Sequence, residues 1–174
     1  MVRSRPFREG NESKAKMSQR EEERMTDEHD LAAMVEAMPD GWKSAMGVHF
    51  VHATAEEVIA ELEIGPMHRQ PLGIVHGGVH AGLIEAVASV GANLTLFPLG
   101  KYAVGLENHT SFLHAVRSGK LRAIGRPLYS GRQSRVWEVN VQDGDGKLVA
   151  TGRVRLHVID AGSKLGGQKA DLEP

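Results

Sequence analysis

Glu85 is the only charged residue in "GGVHAGLIEAVASVGANLTLF", which runs from Gly77 to Phe97. The stretch reads as a helix, and a surface helix would carry a polar face with several charges. On 3.6-residue geometry the neighbours of Glu85 are Ala81, Gly82, Ala88 and Ser89, with Ala92 a turn further on. All are small, so another backbone can come close and partly desolvate the carboxylate, which strengthens its interactions. Gly77 and Gly78 stand at the helix start, where N–H groups are free and the dipole is positive. Those are the parts of an oxyanion site for acyl transfer, with the carboxylate as the activated attacking group or base. Within one helix, however, Glu85 lies about 12 Å along the axis from Gly77. One carbonyl carbon cannot touch both, unless a partner chain presents its own Gly77 to this Glu85. The competing structural reading is a glutamate ion-paired to an arginine, or facing solvent, beside a Gly-Gly loop-to-helix turn.

Five histidines, His68, His76, His80, His109 and His114, raise the question of a metal. His76 and His80 have the i, i+4 spacing of zinc ligands. The stretch reads "HGGVH", without the glutamate of H-E-x-x-H, and no Asp is near, so no metal is expected. There is no G-x-S-x-G elbow, Walker A loop or G-x-G-x-x-G.

The elements around the apolar helix are legible from periodicity. Residues 28–38 pattern as a short helix ending before Pro39. In "AEEVIAELEIG", Val58, Ala60, Leu62 and Ile64 alternate with polar residues, as in a strand. The loop "PMHRQPLGIVHGG" leads into the Gly77–Phe97 helix, which Pro98 helps to end. Four strand patterns follow: "KYAVGLENHTSFLHAV", "GKLRAIGRPLYS", "SRVWEVNVQD" and "KLVATGRVRLHVI", the last two joined by the turn "DGDG". Local connections predict an antiparallel meander. A sheet curled around one central helix follows, an α+β architecture that explains a helix apolar nearly all round.

The bulk numbers set limits. The chain has 174 residues, 41% of them hydrophobic, enough for one domain with a core. No cysteine is present, which excludes disulfides and thiol chemistry and fits a reducing cytoplasm. Residues 1–100 carry 9 Lys/Arg against 15 Asp/Glu, and residues 101–160 carry 10 against 5. The basic second half suits a phosphate-bearing small ligand or a solvated sheet face. It lacks the clustered basic and aromatic residues of a nucleic-acid binder. A polar tail is expected over residues 1–27, disordered and without a secretory signal. The domain is then 28–160, and 161–174 a loose C-terminal tail. A membrane span is rejected, because Glu85 would sit mid-bilayer.

"HRQPLGIVHGGVHAGLIEAVAS" and "VGLENHTSFLHAVRSGKLRAIGRPLYSGRQSRVWEVNVQDGDGKLVATGRVRL" resemble the hotdog-fold acyl-CoA thioesterases. The similar branch is that of the 4-hydroxybenzoyl-CoA, phenylacetate-pathway and 1,4-dihydroxy-2-naphthoyl-CoA thioesterases. The resemblance spans residues 40 to about 158. It implies hydrolysis of an acyl-CoA, with an aromatic, quinone-precursor or medium-chain acyl group. It implies a homodimer, or a homotetramer made of two dimers, with sites shared between chains. Coenzyme A is then part of the substrate and no cofactor is needed. Glu85 would be nucleophile or general base, and Ser89 would position the water or the carboxylate. Gln70 and the Gly77 N–H of the other subunit would hold the thioester carbonyl, with His76 lining the same pocket. Gly131, Arg132 and Gln133, in "SGRQ", match the stretch that meets the CoA nucleotide. Where the family often has Arg-Pro, this chain has His114-Ala115, making His114 a weaker, pH-dependent phosphate contact. A non-enzymatic acyl-CoA sensor, a dehydratase of the same fold and a purely structural protein are the competing readings. The sensor reading lacks room for a DNA-binding domain in residues 1–30, and the dehydratase reading lacks its differently spaced His motif.

Overall fold

The computed structural model describes residues 31–170; the tail expected over 1–27 lies outside them. Two short helices, α1 (Ala32–Ala37) and α2 (Gly41–Met46), precede strands β1 (Val48–Ala53) and β2 (Val58–Glu63). The long helix α3 (Gly77–Leu94) follows, then β3 (Lys101–Phe112), β4 (Lys120–Ser130), β5 (Ser134–Gln142) and β6 (Leu148–Asp160). These six strands form one antiparallel sheet in the order β1-β2-β4-β5-β6-β3. The sheet wraps α3, as the apolar character of that helix predicts.

Val79, Leu83, Ile84, Val87, Ala88, Ala92 and Leu94 of α3 are buried against the inner face of the sheet. Inner and outer residues alternate along β6: Val154 and Leu156 are buried, while Arg153, Arg155 and His157 are exposed. Gly91 lies directly beneath the Trp137 indole, where a Cβ would collide with the ring. Helix and sheet therefore approach more closely there than any side chain on that turn would allow.

Three features depart from the sequence expectations. The last four strands are not a simple meander. β4, β5 and β6 are, but β3 crosses over to pair with β6 and forms the far edge. Residue order cannot distinguish these arrangements, since both use antiparallel neighbours. Helix α2 was not foreseen; Asp40 caps it by accepting from Lys43 N at 2.9 Å, and Gly47 ends it in the left-handed conformation. The segment expected as a loose tail from 161 is ordered through residue 170, as the hairpin β7 (Lys164–Leu165) and β8 (Gln168–Lys169). Gly166 and Gly167 both have positive φ, which a two-residue hairpin turn requires.

Candidate active site

Glu85 points from α3 toward edge strand β3. One carboxylate oxygen, Oε2, accepts from Asn108 Nδ2 at 2.9 Å, and Ser89 Oγ donates to Oε1 at 3.5 Å. Asn108 Nδ2 also donates to the Ala81 carbonyl at 3.1 Å, tying strand to helix. Both partners of the carboxylate are neutral, and no described lysine or arginine pairs with it. The ion-paired reading of Glu85 is thereby lost within the described residues.

The backbone of β3 is shaped to receive this carboxylate. Oε1 occupies the space where a Cβ on residue 105 would stand, and residue 105 is glycine. The register of β3 against β6 shifts between Gly105 and Glu107, leaving Leu106 as an extra residue. Such a bulge reverses which residues face the helix. Gly105 pairs with Leu156 on the inner face, and beyond the bulge Asn108 pairs with Val154 on that same face. In an unbroken strand Glu107 would take the position opposite Val154, setting two carboxylates side by side. The bulge turns Glu107 outward, onto Arg155 at 3.2 Å, and gives Glu85 a neutral donor instead. Sequence reasoning missed Asn108 because a bulge leaves no mark on periodicity when the flanking residues are polar.

The small-residue stripe is filled partly from within the chain. β3 lies against Glu85, and the Trp42 indole of α2 covers Gly82. Ala81, Glu85 and Ser89 remain half-buried.

Two turns back, the start of α3 opens into a separate cavity of about 210 Å³. Gln70, Val75, Gly77, His80, Phe112 and His114 are among its walls. Phe112 stands over Gly77, and its ring lies 6.2 Å from that of His80 at a 41° tilt. The structure thus brings together Gln70, Gly77 and His114, and keeps Glu85 and Ser89 apart from them. His76 is not in that cavity. It is exposed and serves as the helix N-cap, its Nδ1 accepting from Gly78 N at 2.9 Å. A histidine one residue before the first helical turn is held by the backbone of that turn. His80, one turn further in, lines the cavity. It is buried, and desolvation holds its imidazole below the ordinary value. His68 is a structural pin: its Nδ1 accepts from Gly65 N at 2.8 Å and its Nε2 meets the Met46 carbonyl at 3.0 Å.

Gly131, Arg132 and Gln133 form the tip between β4 and β5 and are not among the walls of the cavity that Gln70 and Gly77 line. Arg132 is exposed, with no partner among the described residues. Most of the other basic residues of the second half are neutralised on the sheet. Lys120 and Arg122 meet Glu61, Arg126 meets Glu57, Arg153 meets Glu138, Arg155 meets Glu107 and Lys101 meets Asp160. Among the described residues, no helix is long and apolar enough to cross a membrane.

Comparison with known proteins agrees with this fold. The Thioesterase superfamily profile matches residues 72–150. The proofreading thioesterase EntH of Klebsiella pneumoniae is 33% identical over 129 residues, covering 74% of this chain and 93% of that protein. The solved structure of thioesterase HI1161 from Haemophilus influenzae superimposes with a TM-score of 0.66 at 31% identity, over 70% of this chain and 84% of that one. A variant of thioesterase PA1618 from Pseudomonas aeruginosa gives a TM-score of 0.67 at 27% identity, over 70% and 87% of the two chains. The chain belongs to the Thioesterase superfamily: it has the hotdog fold and is a thioester hydrolase.

Proposed function

We propose that this enzyme hydrolyses an acyl-CoA, with Glu85 as the nucleophile or general base, in a site completed by a second copy of the chain. The observation that carries the reading is the setting of Glu85. It is a half-buried carboxylate, held by Asn108 and Ser89, unpaired with any described cation, against a strand that leaves room for it only by a glycine and a bulge. As nucleophile it would attack the thioester carbonyl, expelling the CoA thiolate and leaving an anhydride for water to cleave. As base it would take a proton from the attacking water. In either case the carbonyl oxygen gains charge, and the Gly77 N–H and the Gln70 amide are the donors suited to it.

The separation of those donors from Glu85 within one chain supports a shared site. Among the described residues, edge strand β3 is paired only on its β6 side, and Leu106, Phe112 and Leu113 beside it are exposed. An uncovered edge of twelve residues with apolar side chains is a surface proteins normally close. A two-fold partner closing it would lay its own Gly77 end alongside this chain's Glu85. Arg132 and Gln133 at the β4–β5 tip are then assigned to the CoA phosphates, and His114, which lines the Gln70 cavity, to the thioester end of the same ligand.

Co-refolding tests the shared site. Gln70→Ala and Glu85→Ala chains, each inactive alone, are mixed. Half the dimers are heterodimers with one native site each, so roughly a quarter of wild-type activity returns. No recovery, with heterodimers demonstrated, refutes the shared site. Unchanged acyl-CoA turnover in Glu85→Ala refutes the role of Glu85.

A further inference from the structure

Asn108 holds the Glu85 carboxylate, yet Asn108 is itself an exposed side chain on an edge strand, where packing does little to fix it. Its amide is held by hydrogen bonds at both ends. Nδ2 donates to Glu85 Oε2 at 2.9 Å and to the Ala81 carbonyl at 3.1 Å, which uses both of its hydrogens. At the other end Oδ1 accepts from Thr110 Oγ1 at 2.7 Å. Thr110 follows two residues along β3 and so shares the face of Asn108 beyond the bulge. It pairs with Gly152 of β6. A Cβ on residue 152 would stand 3.0 Å from Thr110 Oγ1 and 2.9 Å from the His109 carbonyl oxygen. The φ of Gly152 is not positive, so glycine at this position answers to space and not to backbone conformation.

The two acceptors on α3 decide which end of the amide faces Glu85, since the reversed amide would set an oxygen against both. They do not fix where the amide lies, because both bonds leave from Nδ2 and the group can swing about that atom. The bond from Thr110 fixes the opposite end. It also polarises the amide, because a donor on Oδ1 strengthens the N–H groups at Nδ2. When Glu85 takes up a proton, or bonds to the acyl carbon, its charge falls and its hold on Asn108 weakens. Ala81 and Thr110 then keep the amide in place until the carboxylate is restored. We infer that Thr110 is a positioning residue for Glu85, acting through Asn108, and that Gly152 keeps open the space its hydroxyl needs. This rests on the reading of Glu85 as nucleophile or base and extends the machinery by one relay. A purely structural alternative has the threonine hydroxyl stabilising β3 without consequence for the carboxylate.

The test compares Thr110→Val, which keeps the shape and removes the hydroxyl, with Thr110→Ser, which keeps the hydroxyl. Thr110→Ala is a second hydroxyl-free variant should the valine protein fail to fold. Thr110→Val should lower kcat on an acyl-CoA by about three- to tenfold, the worth of one neutral hydrogen bond, with KM little changed. Thr110→Ser should recover most of that loss. In the Asn108→Ala background Thr110→Val should cost nothing further, because the two residues act as one unit. Urea melts of every variant separate loss of fold from loss of turnover. A wild-type kcat in both hydroxyl-free variants, equal losses in the serine and valine proteins, or losses that multiply in the double variant would each overturn the inference. A second readout needs no turnover. The Asn108 side-chain amide is followed by NMR in protein labelled at asparagine, its signals identified by their disappearance in Asn108→Ala. Its hydrogens should exchange slowly in the wild type and in Thr110→Ser, and faster in Thr110→Val. Unchanged exchange in Thr110→Val overturns the inference, whatever the kinetics. Absence of turnover on every acyl-CoA, or full turnover in Glu85→Gln, overturns the reading of Glu85 instead, and amide exchange then decides by itself whether Thr110 positions Asn108.

Discussion

On the outer face of the sheet, charges meet across adjacent strands: Glu138 opposite Arg153, Glu107 opposite Arg155, Glu61 opposite Arg122. At the start of α3 the opposite holds. The Gln70 side chain makes no hydrogen bond to the described residues, and the Nδ1 of His80 is buried without one. Glu85 lies between these extremes, held by two neutral groups. A polar group whose partner lies in its own chain has its requirement met by folding. One that folding leaves unmet is available to a ligand. The contrast separates the charged residues paired on the sheet surface from the groups proposed to meet the substrate, although both sets lie in the same domain.

The strongest break in that contrast is expected at Glu85. Glu85→Gln keeps the size and an acceptor for the Asn108 hydrogen bond while removing the charge. Turnover on a good acyl-CoA should fall by about 10² or more, with the urea midpoint close to wild type. Turnover within threefold of wild type would move Glu85 into the structural class. Asn108→Ala should cost less, about tenfold in kcat with KM little changed, since it loosens the carboxylate without removing it. A KM effect alone would assign Asn108 to substrate binding instead.

How far this division was legible in the sequence differs between its parts. Glu85 showed itself because a lone carboxylate breaks an apolar helical pattern, and the sheet around α3 followed from strand periodicity. Asn108 did not, since its place depends on the Leu106 bulge and the pairing of β3 with β6, which join residues 46 apart in sequence at Asn108 and Val154. His80 was visible only as half of a metal-like i, i+4 pair. Its burial, and the capping role of His76, are properties of packing. The basic second half was ambiguous between ligand and surface, and the cross-strand ion pairs resolve most of it as surface. Arg132, at the tip between β4 and β5, is the exception.

Acidification should resolve the two regions in separate windows. The His80 imidazole is held below its ordinary value of 6.5 by burial, so the unfolded chain binds its proton first. Its contribution to stability is complete above that value and is lost as pH falls below 6.5, by at most about 1.4 kcal/mol per pH unit. Glu61 is held below 4.5, chiefly by its hydrogen bond from Lys120, with Arg122 adding to it. Its contribution persists through the His80 window and is lost only as pH falls below 4.5. Urea melts from pH 8 to 3.5 should therefore show His80→Leu flattening the upper part of the decline and Glu61→Gln the lower. A His80→Leu profile parallel to wild type between pH 7 and 5 would mean that the imidazole is not desolvated.

The smallest effect tests the other side of the comparison. Arg153 and Glu138 face each other on the outer surface at 3.3 Å, with 67% and 37% of their side chains exposed. Water screens a pair this exposed, and holding two long side chains in one geometry costs entropy. Glu138→Gln should therefore lower stability by less than about 1 kcal/mol, and the loss should shrink further in high salt. Turnover should not change, because the pair lies on the side of the sheet away from α3. If Glu138→Gln instead reduced kcat/KM for acyl-CoA severalfold while a pantetheine thioester was unaffected, the outer-face charges would be part of the nucleotide site. Partnered and unpartnered polar groups would then no longer mark the boundary between surface and site.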